Sequence, residues 1–334
     1  MRRVVHLIPY DGIGGVEAAA RTMARVDAEE LRFEVRWLFP DVASRAQRGA
    51  TFNPLRFLSE AIALARAAPD LLVVSLWRCA IVGLIVRLLN RRIRLVVFIH
   101  NSDDAHPLDR IFTRLAVRVC DAVWTDSAAS VAARLPRPPR QPVTVISYLS
   151  QYLAPLSPPP AGEPVAPVFG FWGRLSAQKN VGRALDLFGR IHSARPDARF
   201  VIIGPDGGEG DMLKARVRDA GLAEAVTFAG PLDFDGVQAR LAGAGARFCL
   251  QTSRYEGMAM SVTEAMQLGL VPVVTPVGEI GRYCRNGENA VVIGETDETA
   301  AARVLALLED RAGWDALRAR ALESWCDKPL YRDS

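Results

Sequence analysis

The sequence predicts an α/β protein built from two doubly wound, parallel-sheet domains. Short runs rich in Val, Ile and Leu alternate with segments of helical periodicity through most of the chain, and near-continuous apolar strands of this kind suit a sheet buried on both faces. The alternation is broken once, by LAPLSPPPAGEPVAPV from Leu153 to Val168, which is rich in Pro, Gly and Ala and has no period. At 334 residues the chain exceeds what one ordinary core requires. The expected division is an amino-terminal Rossmann-like domain over 1–152, a linker over 153–167, a carboxyl-terminal Rossmann-like domain over 168–313 and a terminal helical segment over 314–334.

In the amino half, Arg3 to Pro9 reads as a strand, followed by the Gly-rich turn Asp11-Gly12-Ile13-Gly14-Gly15 and a helix from Val16 to Val26. Strand patterns recur from Phe33 to Phe39, Leu71 to Trp77, Ile93 to His100, Ala122 to Thr125 and Val143 to Tyr148. Helical patterns lie between them, from Pro54 to Ala68, Cys79 to Asn90, Asp109 to Cys120 and Ser127 to Leu135. The carboxyl half repeats the scheme. Strands run from Val168 to Trp172, Arg199 to Gly204, Phe248 to Ser253 and Leu270 to Thr275, with a further strand ending near Phe228. Helices run from Val181 to Ala194, Met212 to Ala220, Ser261 to Gln267 and, at the end, Glu298 to Trp325.

Composition narrows the function. Half of the chain is hydrophobic and 23% is charged, as in a globular enzyme. The five cysteines (79, 120, 249, 284 and 326) show neither C-x-x-C nor Cys/His spacing, so a reduced cytoplasmic protein without a zinc site or a disulfide framework is expected. The apolar start from Val4 to Pro9 is too short for a signal peptide, and the apolar run from Cys79 to Val86 falls far short of a spanning helix. Residues 1–150 hold 21 Arg, no Lys and 14 acids, a balance of +7, whereas the remainder carries −3, giving the net +4. Such an amino half could approach an anionic membrane surface or a phosphate-bearing acceptor. No nucleic-acid partner is expected.

Three loops carry candidate chemistry. In EGMAMSVTEAMQLG from Glu256 to Gly269, Ser261 and Glu264 have capping-box spacing, so a helix starting at Ser261 would present free N–H groups at the carboxyl end of a strand. Open α/β sheets bind phosphates at such places. Glu256 and Glu264 flank this start. Acids there repel a phosphate, and are explained if they accept hydrogen bonds from neighbouring sugar hydroxyls; otherwise Glu264 only closes the cap and Glu256 is a solvated loop acid. In Gly173 to Asn180, Arg174 and Lys179 leave one strand end and can converge on one anion. Because 38 of the 41 basic residues are Arg, a Lys in that loop points to a compact point charge. His100 ends a strand and opens the loop NSDDAH, where a His can meet a sugar hydroxyl or hydrogen-bond locally. His106 and His192 have weaker claims, and Asp103-Asp104 reads as a turn rather than a metal site. Gly12 and Gly14 fit the first two glycines of a dinucleotide fingerprint, but Glu17 holds the third position, which weakens a NAD reading that Asp41 keeps open.

Tyr255-Glu256-Gly257 followed by Glu264-Ala265-Met266 resembles the E-x7-E motif of retaining glycosyltransferases of family 4, and Gly173-Arg174-Leu175 with Lys179 is similar to their G-R-L-x-x-x-K motif. The resemblance implies the GT-B fold, with two Rossmann-like domains facing across a cleft, and a terminal helix that crosses back onto the amino domain. It further implies that Glu256 contacts the donor sugar and Glu264 the ribose. Backbone N–H groups of Gly257, Met258, Ala259, Met260 and Ser261 would hold the diphosphate, neutralised by Arg174 and Lys179. His100 matches the family's cleft histidine. Gly14 and Gly15, in Gly14-Gly15-Val16-Glu17, are similar to the family's first loop, and Gly204 and Pro231 lie in loops it uses for base and ribose contacts. Met258, Ala259, Gln178 and Asn180 depart from its common residues.

The expected function is metal-independent, retaining transfer of a sugar from a UDP- or GDP-sugar to a glycan or lipid-linked saccharide, in bacterial polysaccharide or glycoconjugate synthesis, in the cytoplasm or peripheral to the membrane's inner face. No cofactor is implied, the nucleotide sugar being a substrate. A non-catalytic nucleotide-sugar-binding subunit, a GT-B epimerase or a phosphorylase would share the pocket.

Overall fold

The computed structural model describes residues 2–11, 15–23, 31–40, 53–100, 107–135, 137–147, 149, 151–294 and 296–331. The chain divides into two compact units, one of Met1–Gln151 with Pro329–Ser334 and one of Tyr152–Lys328.

The amino unit is built on strands β1 (Arg2–Tyr10), β2 (Leu31–Phe39), β3 (Leu71–Ser75), β4 (Arg94–Ile99), β5 (Ala122–Thr125) and β6 (Val143–Val145). They form one sheet in the order β2-β1-β3-β4-β5-β6, and every adjacent pair is parallel. Its helices are α1 (Gly15–Met23), α2 (Pro54–Ala67), α3 (Leu76–Leu89), α4 (Pro107–Val119) and α5 (Ala128–Arg134). Local chemistry sets the boundaries. Asn53 caps α2 by accepting from the Leu55 and Arg56 N–H groups, with Pro54 preset for the first turn. Ser127 caps α5 through the Ser130 N–H. The expected strand through Trp77 stops two residues earlier, because Leu76 adopts φ 67° and turns the chain at once into α3.

The carboxyl unit has strands β7 (Val168–Trp172), β8 (Arg199–Ile203), β9 (Val226–Gly230), β10 (Phe248–Gln251), β11 (Val271–Val274) and β12 (Val291–Val292), ordered β12-β11-β10-β7-β8-β9. All adjacent pairs are again parallel. Counted from β7, this is the dinucleotide-fold order, and the order reverses between β7 and β10. The helices are α6 (Val181–Ala194), α7 (Gly210–Asp219), α8 (Phe234–Ala244), α9 (Met260–Gln267), the short α10 (Ile280–Tyr283), α11 (Asp297–Glu309) and α12 (Arg311–Glu323). Alternate residues of β7 serve two cores. Phe169 and Phe171 pack with α6, α7 and α11, while Val168 and Trp172 pack with α8 and α9, which is the period of 2 that a sheet covered on both faces requires.

Three features differ from the sequence reading. Helix α8 was not expected, since its two interior glycines blur the helical period; its start is marked by Asp233, whose carboxylate accepts the Gly236 N–H at 2.9 Å. The stretch 153–167 has no helix or strand but is strapped to the carboxyl unit. Leu153 N–H donates to Gln267, Leu156 N–H to the Leu268 carbonyl, and Arg311 donates to the carbonyls of Pro159, Pro160 and Glu163. Finally, the segment that rejoins the amino unit is Pro329–Tyr331, where Tyr331 N–H donates to the Leu149 carbonyl at 2.7 Å. Helix α12 stays with the carboxyl unit because Trp314 is wholly buried in its core.

Trp314→Ala is expected to cost about 3–5 kcal/mol, the range for deleting a buried indole. Urea denaturation followed by circular dichroism would show it as a lowered midpoint; an unchanged midpoint would mean that α12 is not anchored by this residue.

Candidate active site

The carboxyl ends of β7 and β10 are adjacent in the sheet, and their two loops are stitched together. Arg254 N–H donates to the Gln178 carbonyl at 2.9 Å, the Gln178 amide donates to the Tyr255 carbonyl at 3.1 Å, and the Thr252 hydroxyl donates to the Asn180 carbonyl at 2.9 Å. These bonds explain two departures from the family pattern. Gln178 is a donor here, which an ionised Glu could not be. Asn180 sits at φ 50°, a left-handed conformation that Asn tolerates better than other side-chain-bearing residues.

Helix α9 opens at Met260 with Ala259 as its cap residue, in the left-handed region at φ 57°. The capping box expected from Ser261 and Glu264 does not form. Ser261 lies inside the first turn, its hydroxyl buried without a hydrogen-bond partner, and Glu264 reaches instead to another strand. Among the described residues, none of the backbone N–H groups from Gly257 to Ser261 donates to a protein acceptor. The loop that carries them is clamped from behind. Glu279 N–H donates to the Gly257 carbonyl, the Tyr283 hydroxyl donates to the Met258 carbonyl at 2.7 Å, and Gly278 passes so close that a Cβ there would lie 2.2 Å from the Glu256 carbonyl oxygen.

Glu256 is buried, and its Oε1 accepts from Lys179 Nζ at 2.6 Å and from the Ser253 hydroxyl at 2.7 Å. Glu264 is held by the indole of Trp172, whose Nε1–H donates to Oε2 at 2.6 Å. Burial pushes its carboxyl up from 4.5 to about 7, against the opposing effects of the Trp172 bond and the Lys179 charge. Between those two pH values the folded chain holds a proton that the unfolded chain has lost, so this group lowers stability as pH rises across that window.

Arg174 leaves the same strand end as Lys179 but is exposed, its aliphatic stem against Gly207, while Lys179 turns to Glu256. Gly204 has a structural task. At φ 143° its N–H donates to the Gly230 carbonyl, and a Cβ would lie 1.9 Å from the Gly173 carbonyl oxygen, so only glycine lets the loops after β7 and β8 meet. Pro231 follows β9 and is exposed. Sequence reasoning missed Trp172, Ser253 and Tyr283. Only the placement of Trp172 as the last residue of its strand, beside Arg174, could have signalled one of them.

In the amino unit, His100 is buried in a polar chain rather than presented as an open side chain. Ser75 Oγ lies 2.7 Å from His6 Nε2 and 2.9 Å from His100 Nε2, and His100 Nδ1 lies 3.7 Å from the Asp126 carboxylate. Burial, aided by the nearby His100, depresses His6 to about 3 and keeps it neutral. A hydroxyl has one proton, so Ser75 can donate to only one imidazole and must accept from the other. The Asp126 charge favours a proton on His100 Nδ1; Ser75 then donates to His100 Nε2 and accepts from His6 Nε2–H. Arg134, paired with Asp109 at 2.5 Å, donates to the His100 carbonyl from below. Gly15 opens α1. Gly12, Gly14, Asp41, Asp103, Asp104 and His106 lie outside the described residues, and His192 lies on α6, stacked on Phe188.

Two parallel six-stranded α/β units of this kind define the class as a GT-B-type fold. Residues 161–323, most of the carboxyl unit, match the family model described as glycosyl transferases group 1. The chain is 29% identical over 158 residues to the GDP-mannose:cellobiosyl-diphosphopolyprenol alpha-mannosyltransferase of Xanthomonas campestris, covering 46% of this chain and 40% of that protein. It is 30% identical over 176 residues to the glycogen synthase of Myxococcus xanthus, covering 48% and 34% respectively. The match thus spans less than half the length of these relatives. Among solved structures, Anabaena HepE in complex with UDP-glucose superposes with a TM-score of 0.77 at 20% identity, over 97% of this chain and 94% of that one. The lipopolysaccharide outer core galactosyltransferase WaaB superposes with a TM-score of 0.71 at 17% identity, over 99% and 97%.

Gly204→Ala is expected to destabilise the carboxyl unit by roughly 2–4 kcal/mol through backbone collision and strain, measurable by chemical denaturation without any nucleotide. Trp172→Phe removes the donor that favours the charged carboxylate, so the Glu264 pKa should rise above about 7. A carboxyl ¹³C NMR titration reads this directly, and an unmoved or lowered value would disprove the indole's role.

Proposed function

We propose that the protein transfers a sugar from a nucleoside-diphosphate sugar to a glycan or lipid-linked saccharide, with retention of anomeric configuration. The observation that carries this reading is the run of undonated N–H groups from Gly257 to Ser261, opening α9 beside Lys179 and between Glu256 and Glu264. Successive amides at a helix start attract a phosphate. Two carboxylates at its edges suit hydroxyl donors on either side, the donor sugar at Glu256 and the ribose at Glu264. The relatives named above use or bind GDP-mannose and UDP-glucose, which supports a UDP- or GDP-sugar here.

In this reading negative charge accumulates on the diphosphate as the glycosidic bond breaks. The helix amides, Lys179 and Arg174 stabilise it, so the chain's own groups meet the electrostatic demand without a metal. Lys179 is already ordered by Glu256, and binding transfers part of its interaction to phosphate while Glu256 becomes available to the sugar. The acceptor hydroxyl attacks from the leaving-group face and passes its proton to the departing phosphate, which needs no protein nucleophile. Within the amino unit His100 is oriented by Ser75, and its proposed role is contact with a sugar hydroxyl. Five unpaired thiols suit a reducing cytoplasm. A non-catalytic binding subunit is not favoured, because Lys179, Glu256 and Glu264 are all in place.

Thermal-shift screening with UDP, GDP, ADP and their sugars, followed by nucleoside-diphosphate release with a mixed acceptor pool, tests the reading. Lys179→Ala is expected to lower kcat/KM about 10²–10³-fold, the usual loss for a transition-state charge contact. Glu256→Ala should leave the fold and nucleotide binding in place while abolishing most transfer. Full turnover in either variant, or stabilisation by no nucleotide at all, would refute the assignment.

A further inference from the structure

We propose that Arg78, in the first turn of α3, binds a phosphoryl group carried by the acceptor. The inference rests on the transfer reaction proposed above and names the acceptor's chemical class. The observation that carries it is a guanidinium without an anion. Among the described residues Arg78 makes no ion pair, and its buried Nε has no hydrogen-bond partner. Other arginines of the amino unit are matched, Arg3 by Glu34, Arg36 by Glu60, Arg87 by Asp121 and Arg134 by Asp109. Arg78 is held instead by aromatic faces. Its Cζ lies 4.2 Å from the centroid of the Trp77 ring and 5.8 Å from that of Tyr10. A stacked guanidinium is fixed in orientation, and its edge N–H groups remain suited to an anion.

The position is one where an arginine with only a structural task is disfavoured. The amino pole of a helix is positive, and the first turn of α3 contains no acid to offset a second positive charge. Ser75, the cap residue, makes no cap hydrogen bond because its hydroxyl is committed to His6 and His100. Leu76 follows at φ 67°, a left-handed conformation that is costly for a leucine. Local costs gathered in one turn are typical of a segment that serves a ligand. Its place in the fold agrees. Tyr10 ends β1 and Leu76 follows β3, the neighbouring strands between which the sheet order reverses. Leu76 and His100 line one small internal cavity, so a hydroxyl at His100 and a charged group at Arg78 fit a single acceptor. The pole of α3 favours the more highly charged of the anions that a guanidinium reads, a phosphoryl group over a carboxylate.

The test is a thermal-shift titration of the full chain with inorganic phosphate, against chloride and acetate at equal ionic strength. Phosphate is expected to raise the melting midpoint more than either control. In Arg78→Gln the half-maximal concentration should rise at least about fivefold, with Arg78→Lys between this variant and the wild type, while Lys179→Ala keeps an Arg78-dependent response. Circular dichroism and melting without phosphate would verify that the variants fold. No phosphate response, an equal response to acetate, a response lost only in Lys179→Ala, or one unchanged in Arg78→Gln would overturn the proposal. No nucleotide or sugar is present, so these outcomes are independent of the transfer reaction. Nucleoside-diphosphate release is then compared for lipid-linked saccharides with and without the phosphoryl group. Arg78→Gln should raise KM for the phosphorylated acceptors at least about fivefold and leave the donor KM unchanged; an equal loss on both acceptor sets, or a loss on the donor KM, would also overturn it.

Discussion

The constraint on which the carboxyl unit depends is the reversal of strand order between β7 and β10. On either side of such a reversal the crossovers lie on opposite faces of the sheet, and the loops leaving the two strands part at its carboxyl edge. In this protein the parted loops are tied back by three hydrogen bonds involving Gln178, Asn180, Thr252, Arg254 and Tyr255. These bonds fix the relative placement of the two loops at that edge. Gly204 and Gly278 allow the flanking loops to close in at distances no side chain would permit.

Electrostatics at that edge resolve an apparent conflict, the presence of two acids where the proposed function puts a diphosphate. Glu256 is charge-matched by Lys179 and also accepts from Ser253, so it adds little net field. Glu264 is pushed toward its neutral form by burial and is held by a single indole donor. What remains is the row of amides from Gly257 to Ser261, which among the described residues donate to no protein acceptor, beside the strand end that carries the exposed Arg174. The local balance is positive even though formal charges nearly cancel, and backbone dipoles supply the difference.

The amino unit applies the same topology to a different end. Its order reverses between β1 and β3, and there the buried His6–Ser75–His100 chain crosses the strands. Each member constrains the proton position of the next, because a hydroxyl can donate only once. His100 is thus oriented from within by groups that never reach solvent.

Much of the architecture was legible in the chain. Val/Ile/Leu runs at βα spacing specify parallel sheets because both faces must be apolar, and the rarity of Lys in so Arg-biased a chain singled out Lys179 on chemical grounds. Other readings failed where two explanations share one local pattern. Ser261 and Glu264 have the spacing of a capping box, but the carboxylate finds its partner in Trp172, 92 positions away, and proximity of that kind leaves no local trace. Helix α8 was hidden by its glycines, and the Pro-rich stretch read as a linker is bound to one unit by partners more than a hundred residues distant. Periodicity, composition and short loop motifs, then, determined the fold class and marked Arg174, Lys179, Glu256 and Glu264 as candidates. Tertiary structure alone decided the capping of α9 and the setting of His100, because each depends on contacts between segments whose separation along the chain carries no signal.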